Sequence, residues 1–501
     1  MNIYWGDIHN HCDITYGYGS LENALAAARK QLDFCSVTPH AMWPDIPEIT
    51  PESEYLVRFH QEGFAKIARN WEAVKGIVEG ANEDGEFVTF HTFEMHSSKY
   101  GDHHIVSPDD SLELIRADTP HEAARRQRCR AIAVPHHIAY SPGYRGIDWN
   151  FFDETASPIV EVYSKHGSGM KDEGDFPYLH TMGPKDSRNT AYAGLRAGKK
   201  FSFAASTDHH AGFPGSYGDG KLAVLAAERT RSAIWEGILA GRTYAVTGDK
   251  ILCEFSVNEM PFGSRIPDSG GRLIHYRVEG GGAIDRIVIC HNLRPIEVIL
   301  GELREAKGAE SRYKVRLELG WGDEPRPYPW TCVVRTSGGS FVGVEPCIRG
   351  RSVLAPSPDQ KDDPDINKLH IDLRMRDETT VEFDCETVKN PSTAHAQTSA
   401  IIMEVEGDEE TTLDFAINGH RLRRSVGELL KGSITGQERA FASPSFRIHG
   451  AVPRWRYMCE GSLVINAEKL CNNRRSNPDF YHMEVRQVDG STAYVSPIYI
   501  V

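Results

Sequence analysis

The residues best suited to chemistry are histidines, and they are unevenly placed: of 22, 15 precede residue 250 and seven follow it. In the first part they stand beside carboxylates in five short groups. These are Asp7-Ile8-His9-Asn10-His11, Val37-Thr38-Pro39-His40, Phe93-Glu94-Met95-His96 with Gly101-Asp102-His103-His104, Val134-Pro135-His136-His137, and Ser206-Thr207-Asp208-His209-His210. Most directly follow an apolar run that reads as a strand. In an extended segment residues i and i+2 share a face, so His9 and His11 can chelate one ion. Asp7, on the same face, can orient a ligand imidazole from behind. Any one group alone is more simply a core or surface histidine, but five at successive strand ends point to a metal centre. Neutral imidazole with carboxylate suits Zn, Mn or Fe, and no clustered thiolate offers a soft-metal site. So many ligands imply two divalent ions, with donors enough to raise the question of a third. Glu94 is the natural bridging carboxylate, and the chemistry is acidification of a shared water and clamping of an oxygen centre.

The elements that must hold these groups are short strands alternating with helices. Segments 3–8, 34–38, 87–93, 131–135, 159–163 and 201–206 read as strands, and 21–31, 52–80 and 119–130 as helices. Ser20 caps the first helix and Pro120 sits in the first turn of the third. Repeated strand–helix units predict a parallel sheet or barrel with its site at the strands' C-terminal ends. After about residue 250 alternating runs take over, at 251–257, 273–279, 284–292, 313–319, 330–336 and 380–385, separated by Gly, Asn, Asp and Pro clusters. That pattern predicts β-sandwich structure. The expected division is 1–250 and 251–501, with the polar, proline-rich stretch near 356–365 an exposed loop.

Composition narrows the function. The chain has 501 residues, 40% hydrophobic and 25% charged, with a net charge of −14; this is globular, and it disfavours a nucleic-acid backbone as a general partner. The segment MNIYWGDIHNH has no basic and apolar leader pattern, and no apolar run reaches membrane-spanning length, so no membrane partner is expected. Ten cysteines without a CxxC pair suit reduced thiols and a cytoplasmic setting.

The order HxH, strand-end TxH, Glu, single His and DxH resembles the PHP (polymerase and histidinol phosphatase) superfamily. The carrying segments are GDIHNH at 6–11, FCSVTPH at 34–40, FEMH at 93–96, GDHHIV at 101–106, AVPHH at 133–137 and STDHH at 206–210. The resemblance implies an α/β fold, a distorted (β/α)7 barrel over 1–250, with a di- or trinuclear site. It implies metal ligands His9, His11, His40, Glu94, His104, Asp208 and His210, plus one of His136 and His137, with His103 the alternative to His104. The members of that superfamily are mainly phosphatases, phosphodiesterases and polymerase-associated exonucleases. Two departures stand out: Pro39 occupies a position where Asp is common, and Thr15–Gly19 offers neither His nor Asp for a further ligand. The second half, with IDRIVICHN at 284–292 and the closing AYVSPIYIV, is similar to a β-sandwich appended in one PHP subgroup.

On the substrate side, Arg145, Lys165, His166, His180 and Arg188 are candidates for binding an anion or moving a proton. Lys165 and His166 follow a strand directly, and His166 or His209 is the expected acid for a leaving group. The expected function is a metal-dependent phosphoesterase acting on a small anionic molecule, in which a metal-held hydroxide attacks phosphorus. The rival is an amidohydrolase-like enzyme cleaving a carboxylic ester, lactone or amide, because phosphate recognition usually draws on several Arg or Lys residues. A reading of another class is a non-catalytic, metal-dependent carbohydrate- or protein-binding protein.

Overall fold

A computed structural model describes residues 1–305, 309–322, 326–353, 363–390, 398–465 and 479–501. Strands far outnumber helices, and among the described residues no helix is long and apolar enough to cross a membrane. Most of the expected loop near 356–365, and Cys471, lie outside the described residues. Among those described, no cysteine pair is bridged.

The first 250 residues do not close into a (β/α)7 barrel. Their strands fall into three mixed sheets. Asn2–Asp7 runs parallel to Phe34–Cys35, and that strand to Val88–Thr89. His40–Met42 lies parallel to His91–Met95, and Ser202–Ala205 parallel to Ile159–Ser164. Antiparallel pairs interrupt the ring. His103–Ser107 turns back on His91–Met95 through the short loop 96–102, and Lys221–Ala226 runs against Asn2–Asp7. A parallel neighbour needs a crossover with an element on the sheet's face, and loop 96–102 is too short to supply one. The sheets nonetheless share one interior, where Ile8, Phe34, Phe90, Val106, Val134, Ile159, Ala204 and Leu222 pack together. The strand ends therefore still converge.

Helices cover this interior where the pattern predicts them. Ser20 accepts a hydrogen bond from the Asn23 N–H and starts Leu21–Arg29. Thr119 caps Pro120–Arg125 through the Glu122 N–H, with the proline at the position that lacks a free donor. The long helix Glu54–Gly80 buries Val57, His60, Gly63, Ile67, Trp71, Val74 and Val78, a stripe at helical spacing. Gly63 belongs to that stripe for a steric reason, since a Cβ there would stand 2.4 Å from Tyr16 Cδ1.

The second half forms the expected sandwich between 312 and 453. One sheet centres on Arg312–Gly320 and Ser399–Glu406, the other on Tyr328–Ser337 and Thr380–Thr387. Their inner faces meet through Val315, Leu317, Trp330, Val334, Phe383, Met403 and Phe415, and Phe213 of the first half joins the same core. The rest of the second half is not separate from the first. The closing hairpin Asp479–Gln487 and Thr492–Ile500 adds to the first sheet, where Tyr244 faces Val495 and Val246 faces Ala493. A sheet of Leu252–Val257, Arg272–Glu279 and Met458–Ile465 then covers that extension through Phe255, Ile274 and Val278 against Trp5, Tyr244 and Met483. Buried Asp249 ties the parts together, accepting from Arg316 Nη2 at 2.6 Å, Tyr217 Oη at 2.7 Å and Gln487 Nε2 at 2.7 Å.

A chain ended at residue 250 loses the strand paired with Thr243–Val246 and uncovers Trp5, Tyr244 and Val246. We expect that fragment to aggregate or to melt without cooperativity, as read by size-exclusion chromatography and thermal denaturation. A monomeric fragment with a sharp transition would show that the two halves fold independently.

Candidate metal centre and its cleft

Register across one small sheet explains why the ligand set converges. Glu94 lies opposite His40 on one neighbouring strand and opposite His104 on the other. Successive strand residues face opposite ways, so His104 points in with Glu94. His103 points out instead, its Nδ1 2.9 Å from the Gly101 carbonyl and its ring packed edge-on to His121. His136 follows the next strand, its Nδ1 3.2 Å from His104 Nδ1. The remaining donors come from two laced loops: the His11 N–H donates to the His209 carbonyl and the Asp208 N–H to the His9 carbonyl.

Glu94 is the hub. Its Oε2 lies 3.4 Å from His40 Nε2, 3.5 Å from His11 Nε2 and 3.6 Å from His9 Nε2, and its Oε1 lies 3.3 Å from His136 Nε2. Asp208 Oδ1 is 3.1 Å from His11 Nε2 and 3.6 Å from His9 Nε2. His210 stacks on His11 with ring centres 4.2 Å apart. Several overlapping triads result, including His9–His11–Asp208, His9–His104–His136 and His11–His40–His210, each with donor atoms within 4.8 Å of one another. His137, with Nε2 3.4 Å from Asp102 Oδ2, joins a further group with Glu94, Asp102 and His136. All these side chains are buried.

Protonation states fit a cation. Burial, reinforced by neighbouring imidazoles, pushes His40, His104, His136 and His210 well below the usual imidazole range. Burial works against the Glu94 carboxylate, but His40, His96 and His136 outweigh it and hold it well below the usual carboxylate range. Asp208 is likewise held low, against burial, by His9 and His166. His9 differs: despite burial, the carboxylates of Asp208 and Glu161 push it well above its usual value. Glu94 Oε2, His104 Nε2 and His136 Nε2 are buried without a hydrogen-bond partner. Such atoms cost about 1–3 kcal/mol each when left unsatisfied, and these three sit among the converging donors. The donor set therefore fits divalent metal.

Supporting contacts fix the rings. His11 Nδ1 is 2.6 Å from the Thr38 carbonyl, and His9 Nδ1 is 3.0 Å from Glu161 Oε2. Glu161, whose carboxyl burial pushes up to about 7, has the orienting role expected of Asp7. Asp7 itself binds no imidazole. It accepts from the Thr207 hydroxyl at 2.6 Å and from the N–H groups of His9, Thr207 and Gly215, so it latches the loops. The sequence signal for Glu161 is a lone charge inside an apolar strand, Ile159–Ser164.

Above the cluster opens a cleft of about 660 Å³. Arg145, His166 and His180 line it. His166 is held between Tyr140 Oη at 2.6 Å and Asp208 Oδ2 at 3.0 Å. Arg145 donates to Asp102 Oδ2 at 2.6 Å and lies over the Trp43 ring. Three further residues stand at or beside the cleft: Tyr16, which the sequence reading passes over, and His96 and Asp102, which it groups with the donors without giving them a part. Tyr16 stacks on His40 at 3.9 Å with Oη 2.8 Å from His96 Nε2, and His96 Nδ1 lies 3.1 Å from Glu94 Oε1 and 2.9 Å from Asp102 Oδ2.

Other expected residues stand elsewhere. Lys165 turns away from the cleft and pairs with Asp219 Oδ2 and Ser352 Oγ, each at 2.7 Å. The two residues form the turn between Ile159–Ser164 and Gly167–Ser168, and that turn sends His166 into the cleft and Lys165 away from it. His209 lies behind the loop, its Nδ1 3.1 Å from the Ala211 N–H, and Arg188 is an exposed partner of Asp186.

No protein-family model matches the chain. It is 23% identical over 217 residues to an uncharacterised protein of Chlamydia pneumoniae, covering 39% of this chain and 34% of that protein. It is 21% identical over 294 residues to an uncharacterised protein of Chlamydia trachomatis, covering 56% of this chain and 45% of that protein. The chain thus spans between a third and a half of the length of these relatives. Among solved structures, a two-domain protein from Bacteroides vulgatus containing a predicted PHP-like metal-dependent phosphoesterase matches 62% of this chain and 90% of its own, at 15% identity and a TM-score of 0.31.

Three sets of substitutions test the centre. Glu94→Gln should lower the metal content measured by elemental analysis, whereas full metal content would remove Glu94 from the hub. His104→Ala should do the same while His103→Ala leaves metal content unchanged. Glu161→Gln should weaken metal affinity roughly 10- to 100-fold by releasing the His9 ring.

Proposed function

We propose that the protein is a metal-dependent hydrolase and that its substrate is a phosphoester. The observation that carries this is the convergence of imidazoles on Glu94 and Asp208, with unsatisfied buried donor atoms, at the floor of an open cleft. His9, His11, His40, Glu94, His104, His136, Asp208 and His210 would hold the ions. Divalent ions bound there supply Lewis-acid polarisation of a phosphoryl oxygen and a water acidic enough to attack at neutral pH.

The chain's own residues do the rest. Arg145 offers a guanidinium at the cleft wall, aimed by Asp102. The departing alkoxide needs a proton, and the lining imidazoles are not equal in supplying it. Burial pushes His60 and His180 down to about 3 and His137 to about 4, so these rings are neutral near pH 7. Among the other lining imidazoles His166 is the proposed donor, because Tyr140 and Asp208 brace it at the cleft. The second reading is hydrolysis of a carboxylic ester, lactone or amide. It is favoured by one observation: Arg145 is the one Lys or Arg lining the cleft among the described residues, and it is already paired with Asp102.

The decisive measurement is metal content together with turnover of a phosphomonoester, a phosphodiester and a carboxylic ester. Two or more ions per chain, with phosphoester turnover abolished by chelator and restored by metal, is the expected result. Turnover of the carboxylic ester alone would establish the second reading. His166→Ala should lower kcat by roughly 10²–10⁴-fold with metal content intact.

A further inference from the structure

The wall of the cleft is built of rings from its floor to its mouth. His11 stacks on His40 with centres 4.0 Å apart, Tyr16 stacks on His40 at 3.9 Å, and Phe59 packs on Tyr16 at 4.8 Å. Trp43 stands beside His96 at 5.3 Å and beside His60 at 5.1 Å, so a second line of rings borders the first. Helix Glu54–Gly80 supplies the outer rim through Tyr55 and Phe59, one turn apart on a single face. Tyr144, beside Arg145, also lines the cleft. Tyr55 is 66% exposed and Tyr144 57% exposed, although tyrosines usually cover most of their ring area.

This wall has a chemical meaning. Arg145 is the one lining Lys or Arg among the described residues and sits at the inner end, against Asp102, so the outer cleft has no cation of this kind to meet a second phosphate. Flat, rigid rings with little charge favour a flat, uncharged partner, through area burial and offset or edge-on stacking. A group bonded to a phosphorus held over the cluster would lie along Tyr16 and Phe59 and leave between Tyr55 and Tyr144.

We propose that Phe59, Tyr55 and Trp43 form a ring-binding subsite, and that the substrate is a phosphoester whose organic group is an aromatic ring. The proposal rests on the phosphoesterase reading and adds the substrate class. Phe59 and Tyr55 are specificity-determining residues. They lie outside the ligand cluster, so their removal leaves the metal centre intact.

Calorimetric titration of the full, manganese-loaded chain with phenylphosphonate and methylphosphonate tests this. The two probes present the same phosphonate to the metals and differ in the ring. Phenylphosphonate is expected to bind roughly tenfold tighter or more. Phe59→Ala and Tyr55→Ala should each shrink that ratio and leave methylphosphonate binding unchanged. Equal binding of the two probes by the unsubstituted protein would overturn the ring subsite while leaving the phosphoesterase reading in place. Binding of neither would overturn both. Because Tyr55 is largely exposed, its variant reports on binding without the risk of a misfolded core.

Discussion

A buried carboxylate ringed by imidazoles sets the terms for the whole first half. Taking an ionised carboxylate out of water costs several kcal/mol unless partners replace the lost hydration, and Glu94 is almost wholly buried. Its partners are imidazoles, of which burial holds His40 and His136 well below the usual imidazole range, and a cation draws such rings together far better than they draw one another. Each ring must then be held by its other nitrogen: His11 by the Thr38 carbonyl, His9 by Glu161, His166 by Tyr140. The backbone carries strain for the same purpose. Asp208 and His137 adopt φ values of +52° and +30°, a region non-glycine residues rarely enter, and both sit at the centre.

The second half is part of that support. The Asp208–His210 loop, which supplies two donors, is pinned from the sandwich side: the His210 N–H donates to the Val353 carbonyl, and Asn367 Nδ2 donates to the Ala211 carbonyl at 2.7 Å. Lys165, next to His166, is anchored by Ser352. The sandwich therefore holds the loop that carries the ligands. An open arrangement of three sheets needs this, because it lacks the continuous hydrogen bonding by which a closed barrel fixes its loops.

What was legible in the chain follows from periodicity. Period-2 alternation places His9 with His11, the family resemblance implies Asp208 with His210, and the apolar runs before them locate the strand ends. The doublets stayed open because 103–107 carries no strand signal of its own; once that strand is known, alternation separates His104 from His103. Lys165 and His166 share the tight turn after Ile159–Ser164, so adjacency to that strand's end grouped two side chains that the turn sends apart. Asp7 and Glu161 exchange roles for a different reason: sequence spacing reports only the local face, and Glu161 reaches His9 from a strand some 150 positions away. Closure was misjudged likewise, since a hairpin at 479–500 joining a strand at 243–246 leaves no local trace.

The departures at Pro39 and Thr15–Gly19 make the donor groups unequal. Where a further His or Asp would stand, Thr15 Oγ1 lies 3.2 Å from His40 Nδ1 and Tyr16 covers the ring face. Within the all-imidazole His11–His40–His210 group, His40 is approached by a single carboxylate oxygen, Glu94 Oε2, whereas His9 and His11 face both Glu94 and Asp208 and His210 faces Asp208. Neutral nitrogen donors suit a borderline ion, and added carboxylates suit a harder one. A carboxylate in place of Tyr16 would even out this difference. It would also remove the ring that links the cluster to Phe59, so the feature that leaves one donor group poorer in charge is the one that extends the cleft wall toward the substrate.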